Sequence, residues 1–475
     1  MIDILGDIDW TKWIFQRGLG AVYLIAFLVT ANQFRALIGE RGLNPATSRA
    51  ARERFWRSPS IFHFWNGDRF MAALAWVGII LAAAATLGIS DAFGTPVSML
   101  IWFLLWVIYL SFVNVGGTFY GFGWESMTLE AGFLAIFLGA SGTEAPEIIM
   151  WMVRWMLFRV MFGAGMIKLR GDRCWRDLTC LQYHHETQPI PGPFSWYFHH
   201  LPKWMHKMEV LGNHFVELVV PFFYFAPAPY SYAAGIITII FHAWLIVSGN
   251  FSWLNWFTIV LAIPLFDDAF FQAVLALPPL EAVSRTLPHN LALGGLTILI
   301  GLLSIRPLFN LFSRFQIMNT SFDPFHLVNT YGAFGSITKT RYEVIVEGTD
   351  ENMLTAETQW KEYEFKRKPG NITRRPAQVA PYHLRLDWLM WFAAMGSVFE
   401  HPWLIELAFK LLKGDSQTLK LLKHNPFQAA PPRFVRMRLY RYRFTTWEER
   451  RQTGNWWHRE YVEEYLPPLS LSGQR

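Results

Sequence analysis

The 475-residue chain contains 52% hydrophobic residues and only 16% charged ones, whereas soluble domains carry about 25% charged residues. Its 23 tryptophans suit the membrane–water interface, where an amphipathic ring is stable. The net charge is +6, and 24 of the 42 Lys and Arg residues lie beyond Leu303. These features exclude an ordinary soluble enzyme. Anionic membrane lipid is a better partner for the basic tail than nucleic acid, for which the apolar half has no use.

Apolar stretches long enough to cross a bilayer as a helix, which needs about 17–25 residues, occur six times. They are Phe15–Ala31, Phe70–Ile89, Val97–Val115, Ile148–Leu169, Tyr230–Val247 and Leu291–Ile305. Shorter or less clean stretches occur at Met127–Gly139, Phe215–Ala226 and Trp253–Phe266. We therefore predict a polytopic α-helical membrane protein with eight or nine helices. No small-residue cleavage site follows the first stretch, which is typical of a retained helix and not of a signal peptide.

The pattern changes beyond the last apolar stretch. Residues alternate between apolar and polar, as in half-buried strands, at Arg341–Glu347, Trp360–Phe365 and Phe434–Phe444. Two amphipathic helices are predicted at Leu384–Gly396 and Pro402–Lys413. The predicted domains are a helical bundle at 1–317 with a motif loop at 170–211, and an extramembrane α+β domain with an antiparallel sheet at 318–475. The last predicted strand and its flank carry arginines that could contact an anionic partner or form a solvated face: Arg433, Arg436, Arg438, Arg441 and Arg443.

The segment Arg159–Gln188 is the most informative part of the sequence. An apolar helix that carries Arg159 and Lys168 runs directly into a loop rich in ionisable residues. Because ionisable groups at membrane depth are costly unless paired or hydrated, such a helix indicates a functional site. The candidate ligand-binding residues of this loop are Arg170, Asp172, Arg173, Arg176, His184, His185 and Glu186. A salt-bridged loop with Asp177 and hydrated histidines is the structural alternative to an anion site.

Lys168 has two interpretations. It could extend its ammonium to the membrane interface, as lysines at helix ends commonly do. Alternatively, the small residues Gly163–Gly165 permit close helix approach, so that Lys168 faces a dry interior and acts as a base. The candidate partners or co-catalytic groups are Glu125, Glu130, Asp172 and His242. Glu125 and Glu130 could also pair with Arg154 or Arg159, which would relieve burial on both sides.

Cys174 and Cys180 are the two cysteines of the chain. Their spacing differs from the C-x-x-C of thioredoxin-like redox motifs, and two cysteines alone cannot complete a zinc site. A structural disulfide and two free thiols both remain open. Asn213, His214 and Glu217 place a His and a Glu on one helix face, but the sequence has no Glu-x-x-His pair of the di-iron type. We therefore expect no metal.

Charge counting makes a prediction about topology. Loops 35–69 and 170–211, together with the tail, hold nearly all the Lys and Arg residues. The positive-inside rule assigns these regions to the cytoplasm, although long loops and domains cross the membrane largely regardless of charge.

Long motifs resemble the lipase maturation factor family. They include GAGMIKLRGDRCWRDLTC (Gly163–Cys180), HHETQPIPGP (His184–Pro193) and NHFVELVVPFF (Asn213–Phe223), and in the tail NTYGAFGSITKTRYEVIVEGT (Asn329–Thr349), WKEYEFKRKPG (Trp360–Gly370) and APYHLRLDWLMWFAAM (Ala380–Met395). These pieces span about residue 100 to the C-terminus. The resemblance implies an integral membrane protein that assists folding or maturation of a secreted lipase-like client. It also implies that the motif loop and tail are lumenal in the eukaryotic endoplasmic reticulum, against the charge rule.

A looser second resemblance is to the membrane domain of vitamin K-dependent γ-carboxylase, carried by AGMIKL (Ala164–Leu169), Trp175 and Phe241-His242. It implies an alternative function, a membrane enzyme acting on a lipid or quinone-like substrate with Lys168 as base. A scaffold for other membrane proteins is a third possibility, which does not explain the density of ionisable residues. Family cysteines expected at Arg367 and Ala377 are absent, and no retention tetrapeptide follows. We therefore expect a bacterial member in the inner membrane.

Overall fold

A computed structural model describes residues 6–471, and the chain is mostly helical. The α-helices are α1 (Asp9–Leu37), α2 (Ala46–Arg52), α3 (Asp68–Leu87), α4 (Thr95–Gly116), α5 (Gly123–Ala135), α6 (Glu147–Arg170), α7 (Arg173–Arg176), α8 (Leu181–Thr187), α9 (Ser195–His199), α10 (Lys203–Leu218), α11 (Tyr230–Ser248), α12 (Leu254–Ala262), α13 (Asp268–Leu275), α14 (Leu287–Phe312), α15 (Arg385–Ala393), α16 (Trp403–Leu412), α17 (Ser416–Leu419) and α18 (Trp447–Thr453). Short 3₁₀ segments lie at Phe55–Arg57, Ile61–His63, Ile89–Phe93, Gly117–Tyr120, Val220–Phe225, Ile263–Leu265 and Val398–Glu400.

Six helices are long and apolar enough to cross a membrane: α1, α3, α4 with its extension to Tyr120, α6, α11 and α14. All six were predicted. A seventh candidate is the pair Leu254–Leu265 and Asp268–Leu275, which is bent by 110°. The predicted count of eight or nine is not confirmed, because α5 has 13 residues and the stretch 215–226 leaves α10 for a 3₁₀ turn.

Helix α6 occupies the centre of the bundle. Within its most apolar window 83% of the residues are buried, against 22% for α14 and 28% for α3. Arg154 of α6 is satisfied inside the protein, since its guanidinium donates to the carbonyl oxygens of Pro264 (2.8 Å) and Tyr224 (3.0 Å). The charged helix is therefore enclosed by apolar ones, the arrangement that a low-dielectric surrounding favours.

The tail contains the predicted antiparallel sheet. Its strands are β1 (Arg341–Thr349), β2 (Lys361–Glu362), β3 (Glu364–Phe365), β4 (Leu422–His424), β5 (Phe434–Phe444) and β6 (Trp457–Leu469). The main sheet has the order β2-β1-β5-β6, and β3 pairs with β4. Strand β6 was not predicted. It follows the capping box of α18 and forms an edge whose middle residues are exposed.

The tail is fastened to the bundle by buried polar contacts. The guanidinium of Arg385 is fully buried and donates to Glu125 Oε1 and to the Phe119 carbonyl, both at 2.6 Å. Gln33 of α1 donates to the His383 carbonyl (2.7 Å) and accepts from the Arg385 backbone N–H (3.1 Å). Helix α15 thus docks between α1 and α5, although it lies more than 340 residues beyond α1 in the chain.

Candidate functional site

Two glycines at the end of α6 allow other segments to approach it closely. A Cβ atom on Gly163 would lie 2.5 Å from the Tyr331 carbonyl oxygen, and one on Gly165 would lie 2.7 Å from Leu218 Cδ2. Side chains at these positions would therefore push away the 313–340 segment and α10. The close packing leaves Lys168, one turn further along α6, only 5% exposed.

The Lys168 ammonium has two partners on α10. Its Nζ atom donates to Glu217 Oε1 at 2.5 Å and to Asn213 Oδ1 at 3.0 Å. Asn213 in turn donates to Glu217 Oε2 at 2.8 Å, and Nζ lies 5.0 Å from the centroid of the Trp175 ring. Lys168 therefore belongs to a closed group in the bundle interior and does not extend to an interface.

Two of the predicted partners of Lys168, Glu125 and Glu130 of α5, are held by other groups in the structure. Glu130 bonds the Arg159 guanidinium and accepts from the Asn329 N–H (2.9 Å) and the Tyr331 hydroxyl (2.8 Å). Glu125 bonds Arg385 and the Tyr109 hydroxyl. Neither carboxylate is among the described contacts of Lys168, and the pair of Glu130 with Arg159 is one of the alternatives that the sequence offered.

Asp172 and the arginines near it stabilise the exit of α6 instead of forming an anion site. Asp172 Oδ2 accepts from the Ile337 N–H at 2.7 Å. Arg170 donates to the Leu311 carbonyl (2.8 Å) and to Gln316 Oε1 (2.6 Å). Arg176 donates to the Leu169 carbonyl (2.9 Å), and Arg173 forms an exposed pair with Asp177 at 3.2 Å. These side chains have separate backbone and side-chain partners, so they do not converge on one point.

The turn after α6 is closed by a disulfide. Cys174 and Cys180 are joined, and both lie in a small buried cluster with Trp175, Val210 and Ile337. The Trp175 indole donates to the Phe334 carbonyl at 2.9 Å. The bond therefore stabilises the turn that carries Trp175 beneath Lys168.

The residues His184, His185 and Glu186 are buried or half-buried on α8, not in a hydrated loop. The His184 ring stacks on Phe251 and meets Phe334 edge-on. Burial, together with the neighbouring His185 and Lys168, lowers the pKa of His184 to about 3. Glu186 Oε2 accepts from the Phe444 N–H at 2.6 Å, while burial raises the pKa of this carboxyl to about 7.

Arg341 of β1 fixes the end of the same motif. Its fully buried guanidinium donates to the carbonyl oxygens of Glu186 (2.9 Å), Gln188 (2.5 Å) and Pro189 (3.0 Å). Five guanidinium donors in a rigid fork suit several backbone carbonyls at once. The tail sheet thereby sets the position of α8.

One face of α10 carries a polar stripe toward this region. His206, Glu209, Asn213 and Glu217 recur at intervals of three and four residues, which places them on one side of a helix. Glu209 Oε2 lies 3.0 Å from His206 Nδ1 and 3.5 Å from His185 Nε2. Burial alone would raise the pKa of Glu209, but the contacts with His185 and His206 outweigh it and lower the pKa to about 2. Glu209 is therefore ionised at neutral pH.

These groups line a cavity of about 540 Å³. Its polar wall includes Lys168, His185, Glu209, Asn213, Glu217 and His242, and its apolar wall includes Trp388, Trp391 and Phe334. His242 contacts Asn255 Oδ1 at 3.1 Å through Nδ1 and Met161 Sδ at 3.2 Å through Nε2. A cavity with an apolar lining and a few convergent polar groups is the usual form of a small-molecule site.

Comparison with known proteins identifies the family. The sequence-family model of the lipase maturation factor transmembrane domain matches residues 10–273, and the sequence-family model of the lipase maturation factor C-terminal domain matches residues 327–467. Lipase maturation factor 1 of Homo sapiens is 43% identical over 98% of this chain and 88% of its own length. The chain belongs to the lipase maturation factor family. Lipase maturation factor 1 of Mus musculus (43% identical, 97% and 87%) and lipase maturation factor 2 of Xenopus tropicalis (30%, 98% and 83%) are also similar.

The family match covers more of the chain than the quoted motifs, because it includes most of the first hundred residues. No solved structure matches the chain, so the carboxylase resemblance stays a prediction. The sequence analysis missed Glu209 and Asn255 as cavity residues, and His206 as the neighbour of Glu209. A signal existed for His206 and Glu209, since the polar stripe of α10 runs along a helix that is otherwise apolar on its buried side.

Proposed function

We propose that this protein is a membrane-embedded maturation factor that assists folding of a secreted lipase-like client. One observation carries the proposal. Nearly the whole chain matches the two domains of the lipase maturation factor family and relatives that are named lipase maturation factors. The docking of the tail on the bundle through Arg385 and Arg341 supports it, because both domains then act as one body. The carboxylase-like alternative is not favoured by these matches.

The test is rescue of lipase maturation. Cells that lack their own maturation factors would express a secreted lipase with or without this chain, and the specific activity of secreted lipase would be measured at equal lipase protein. We expect activity to rise several-fold with the chain present. An unchanged specific activity, with the chain present in the membrane at normal level, would contradict the proposal.

The membrane and the sidedness belong to the same proposal. We place the protein in the inner membrane if bacterial and in the endoplasmic reticulum membrane if eukaryotic, with membrane lipid around the bundle and residues 318–475 outside it. The motif loop and the tail then face the periplasm or lumen, where a secreted client folds. The disulfide between Cys174 and Cys180 supports this orientation, since disulfides persist in oxidising compartments. In this arrangement α5, the stretch 215–226 and α12 are partial-depth elements that bring the count of membrane segments to eight or nine.

Sidedness is best measured at Arg173, because its side chain is 83% exposed whereas Cys174 and Cys180 are buried. An Arg173→Cys variant in a Cys174→Ser, Cys180→Ser background would be treated with a membrane-impermeant thiol reagent. For a bacterial host, labelling in intact cells with a permeabilised outer membrane is expected. Labelling only after lysis would reverse the assignment, and an Arg314→Cys variant at an exposed position just beyond α14 provides a second site.

A further inference from the structure

Three ligating side chains meet at the rim of the cavity, and none of the functions discussed above uses them. They are His185 of α8 and His206 and Glu209 of α10, and one ligand atom from each lies within 4.8 Å of the others. Imidazole and carboxylate are the donors that zinc and related first-row divalent metals accept.

Hydrogen bonding leaves this cluster incomplete. His185 is only 2% exposed, and among the described residues neither of its ring nitrogens nor Glu209 Oε1 has a hydrogen-bond partner. The 3.5 Å separation of His185 Nε2 from Glu209 Oε2 exceeds the range of an ordinary hydrogen bond. Leaving a buried polar group unpaired costs about 1–3 kcal/mol, so an ordinary structural contact does not explain why a histidine is placed here.

The spacing suits a metal ion. Four-coordinate zinc, about 2.1 Å from each ligand atom, places those atoms about 3.4 Å apart. The observed separations of 3.0 Å and 3.5 Å from Glu209 Oε2 to His206 Nδ1 and His185 Nε2 bracket that value. A small rotation of the Glu209 side chain would exchange its bond with His206 for a bond to the metal.

We propose that His185, His206 and Glu209 bind a divalent transition metal, with Zn²⁺ as its representative. Three protein ligands leave one position open, the arrangement of a site that takes water or an exogenous ligand. Since His185 and Glu209 line the cavity, the open position faces it. The ligand that fits there is an oxygen donor such as a carboxylate or hydroxyl group. On α10, Glu209 lies eight residues before Glu217, so the metal would sit about 12 Å from the Lys168 group.

The test uses the full chain in detergent without a histidine tag, and Zn²⁺ as the probe in titration calorimetry. We expect one equivalent to bind to the wild-type protein. His185→Gln and Glu209→Gln should weaken binding by at least about 10-fold, because even indirect supports of a metal ligand contribute about 10–100-fold. His424→Gln, which removes an exposed histidine of β4, is the matched control and should leave the affinity unchanged.

Two results would overturn the proposal: no stoichiometric Zn²⁺ binding to the wild-type protein, or stoichiometric binding that both ligand variants retain at full affinity. If a variant does not fold, Co²⁺ is added to the wild-type protein instead and its visible absorption is measured. Visible absorption typical of nitrogen and oxygen donors, lost on addition of Zn²⁺, would support the site, and its absence would overturn it. These readouts do not depend on lipase maturation, so the site and the proposed function can fail separately.

Discussion

Buried charges occur in two settings in this molecule. Where the tail meets the bundle, Glu125 and Glu130 are paired with Arg385 and Arg159, and neither acid lines the cavity. On α6 and α10, by contrast, Lys168, Glu209 and Glu217 line the cavity wall. The first set joins segments that are distant in the chain, whereas the second faces space that a ligand can fill. Burial of a charged residue therefore does not identify a functional site by itself, and whether the residue faces the cavity is a second criterion that the variants below can test.

The largest expected effect concerns the pair at the junction. Arg385→Met leaves the Glu125 carboxylate buried without its cation, and breaking a buried pair in this way costs about 3–5 kcal/mol. We expect a strong fall in membrane protein level and in the melting temperature in detergent. The double variant Glu125→Leu, Arg385→Met should be less damaged than either single variant, because no charge is stranded.

The control for that prediction is Lys361→Met. Lys361 and Asp350 form an ion pair of 3.3 Å in which both side chains are about half exposed or more, and such pairs contribute about 0–1 kcal/mol. Equal stability loss in Arg385→Met and Lys361→Met would contradict the view that the buried pair fastens the tail.

The cavity pair gives a second prediction that separates packing from function. Lys168→Met strands Glu217 and should lower the protein level in the same way. In the double variant Lys168→Met, Glu217→Leu the level should recover, but lipase maturation should stay at least about 10-fold below wild type if the charged wall serves the client or a ligand. The double variant at Glu125 and Arg385 should recover both. Full maturation in the Lys168 and Glu217 double variant would assign this pair to packing as well.

Lys168→Arg tests the same site more gently. The guanidinium keeps the charge but is a planar fork, and it does not reproduce a single ammonium held between two acceptors. We expect a normal protein level with reduced maturation, measured as lipase specific activity at equal lipase protein. An Arg variant with full maturation would show that charge alone is required there.

The sequence predicted elements well where periodicity or a long apolar run was strong. All six long spans, β1, β5 and the helices α15 and α16 were found. Their bounds agree to within a few residues, except that α1 is longer than predicted by six residues at each end and α14 by seven at its C-terminal end. The prediction is not confirmed at the shorter apolar stretches around α5, 215–226 and α12. Helix α5 is largely buried, whereas five large apolar residues of 215–226 are exposed. Apolar composition alone does not distinguish these two settings from a membrane span.

The site was predicted in part, for a physical reason. The segment around Lys168 and His185 was located, because ionisable residues in an apolar helix are unusual. The partners of these residues were not located, because pairing between helices depends on which helix faces pack against each other. Glu217 was noted only as one helix turn from His214, yet it is Glu217 that reaches Lys168, while Glu125 and Glu130 face Arg385 and Arg159.

The buried, neutral His383 is expected to make the stability of the protein depend on pH, an effect smaller than those above. His383 is 1% exposed and surrounded by the rings of Phe122, Trp124, Trp253 and Trp388. Burial, with the nearby charge of Arg385, lowers the pKa of His383 well below its ordinary value of 6.5. The unfolded chain then binds more protons than the folded one below pH 6.5, so stability falls as the pH falls. Between pH 7 and pH 5 the loss from this residue is at most about 2 kcal/mol, the value for a histidine that stays neutral in the folded protein.

His383→Phe is the matching variant. It keeps the aromatic packing, and within residues 6–471 neither ring nitrogen of His383 has a hydrogen-bond partner to lose. We expect similar melting temperatures for the two proteins at pH 7.5 and a higher one for the variant at pH 5. A parallel decline of both proteins with pH would show that other groups, and not His383, dominate the acid sensitivity.

The smallest expected effect is on the exposed arginines of β5, which the sequence suggested as contacts for an anionic client. Strand β5 is central in the sheet, and its arginines already face acids of the tail: Arg436 pairs with Glu347, Arg441 with Glu460 and Arg443 with Glu449. The last two pairs are about half exposed, so Arg441→Gln should change the free energy of unfolding by less than about 1 kcal/mol. Maturation should also be unchanged, because this charge is largely neutralised by Glu460. Deleting residues 433–475 is a poor test of client binding, since it removes both β5 and β6, two of the four strands of the main sheet. A several-fold loss of lipase maturation in Arg441→Gln, at a normal protein level, would contradict this expectation. It would show that these arginines contribute to client binding despite their acidic partners.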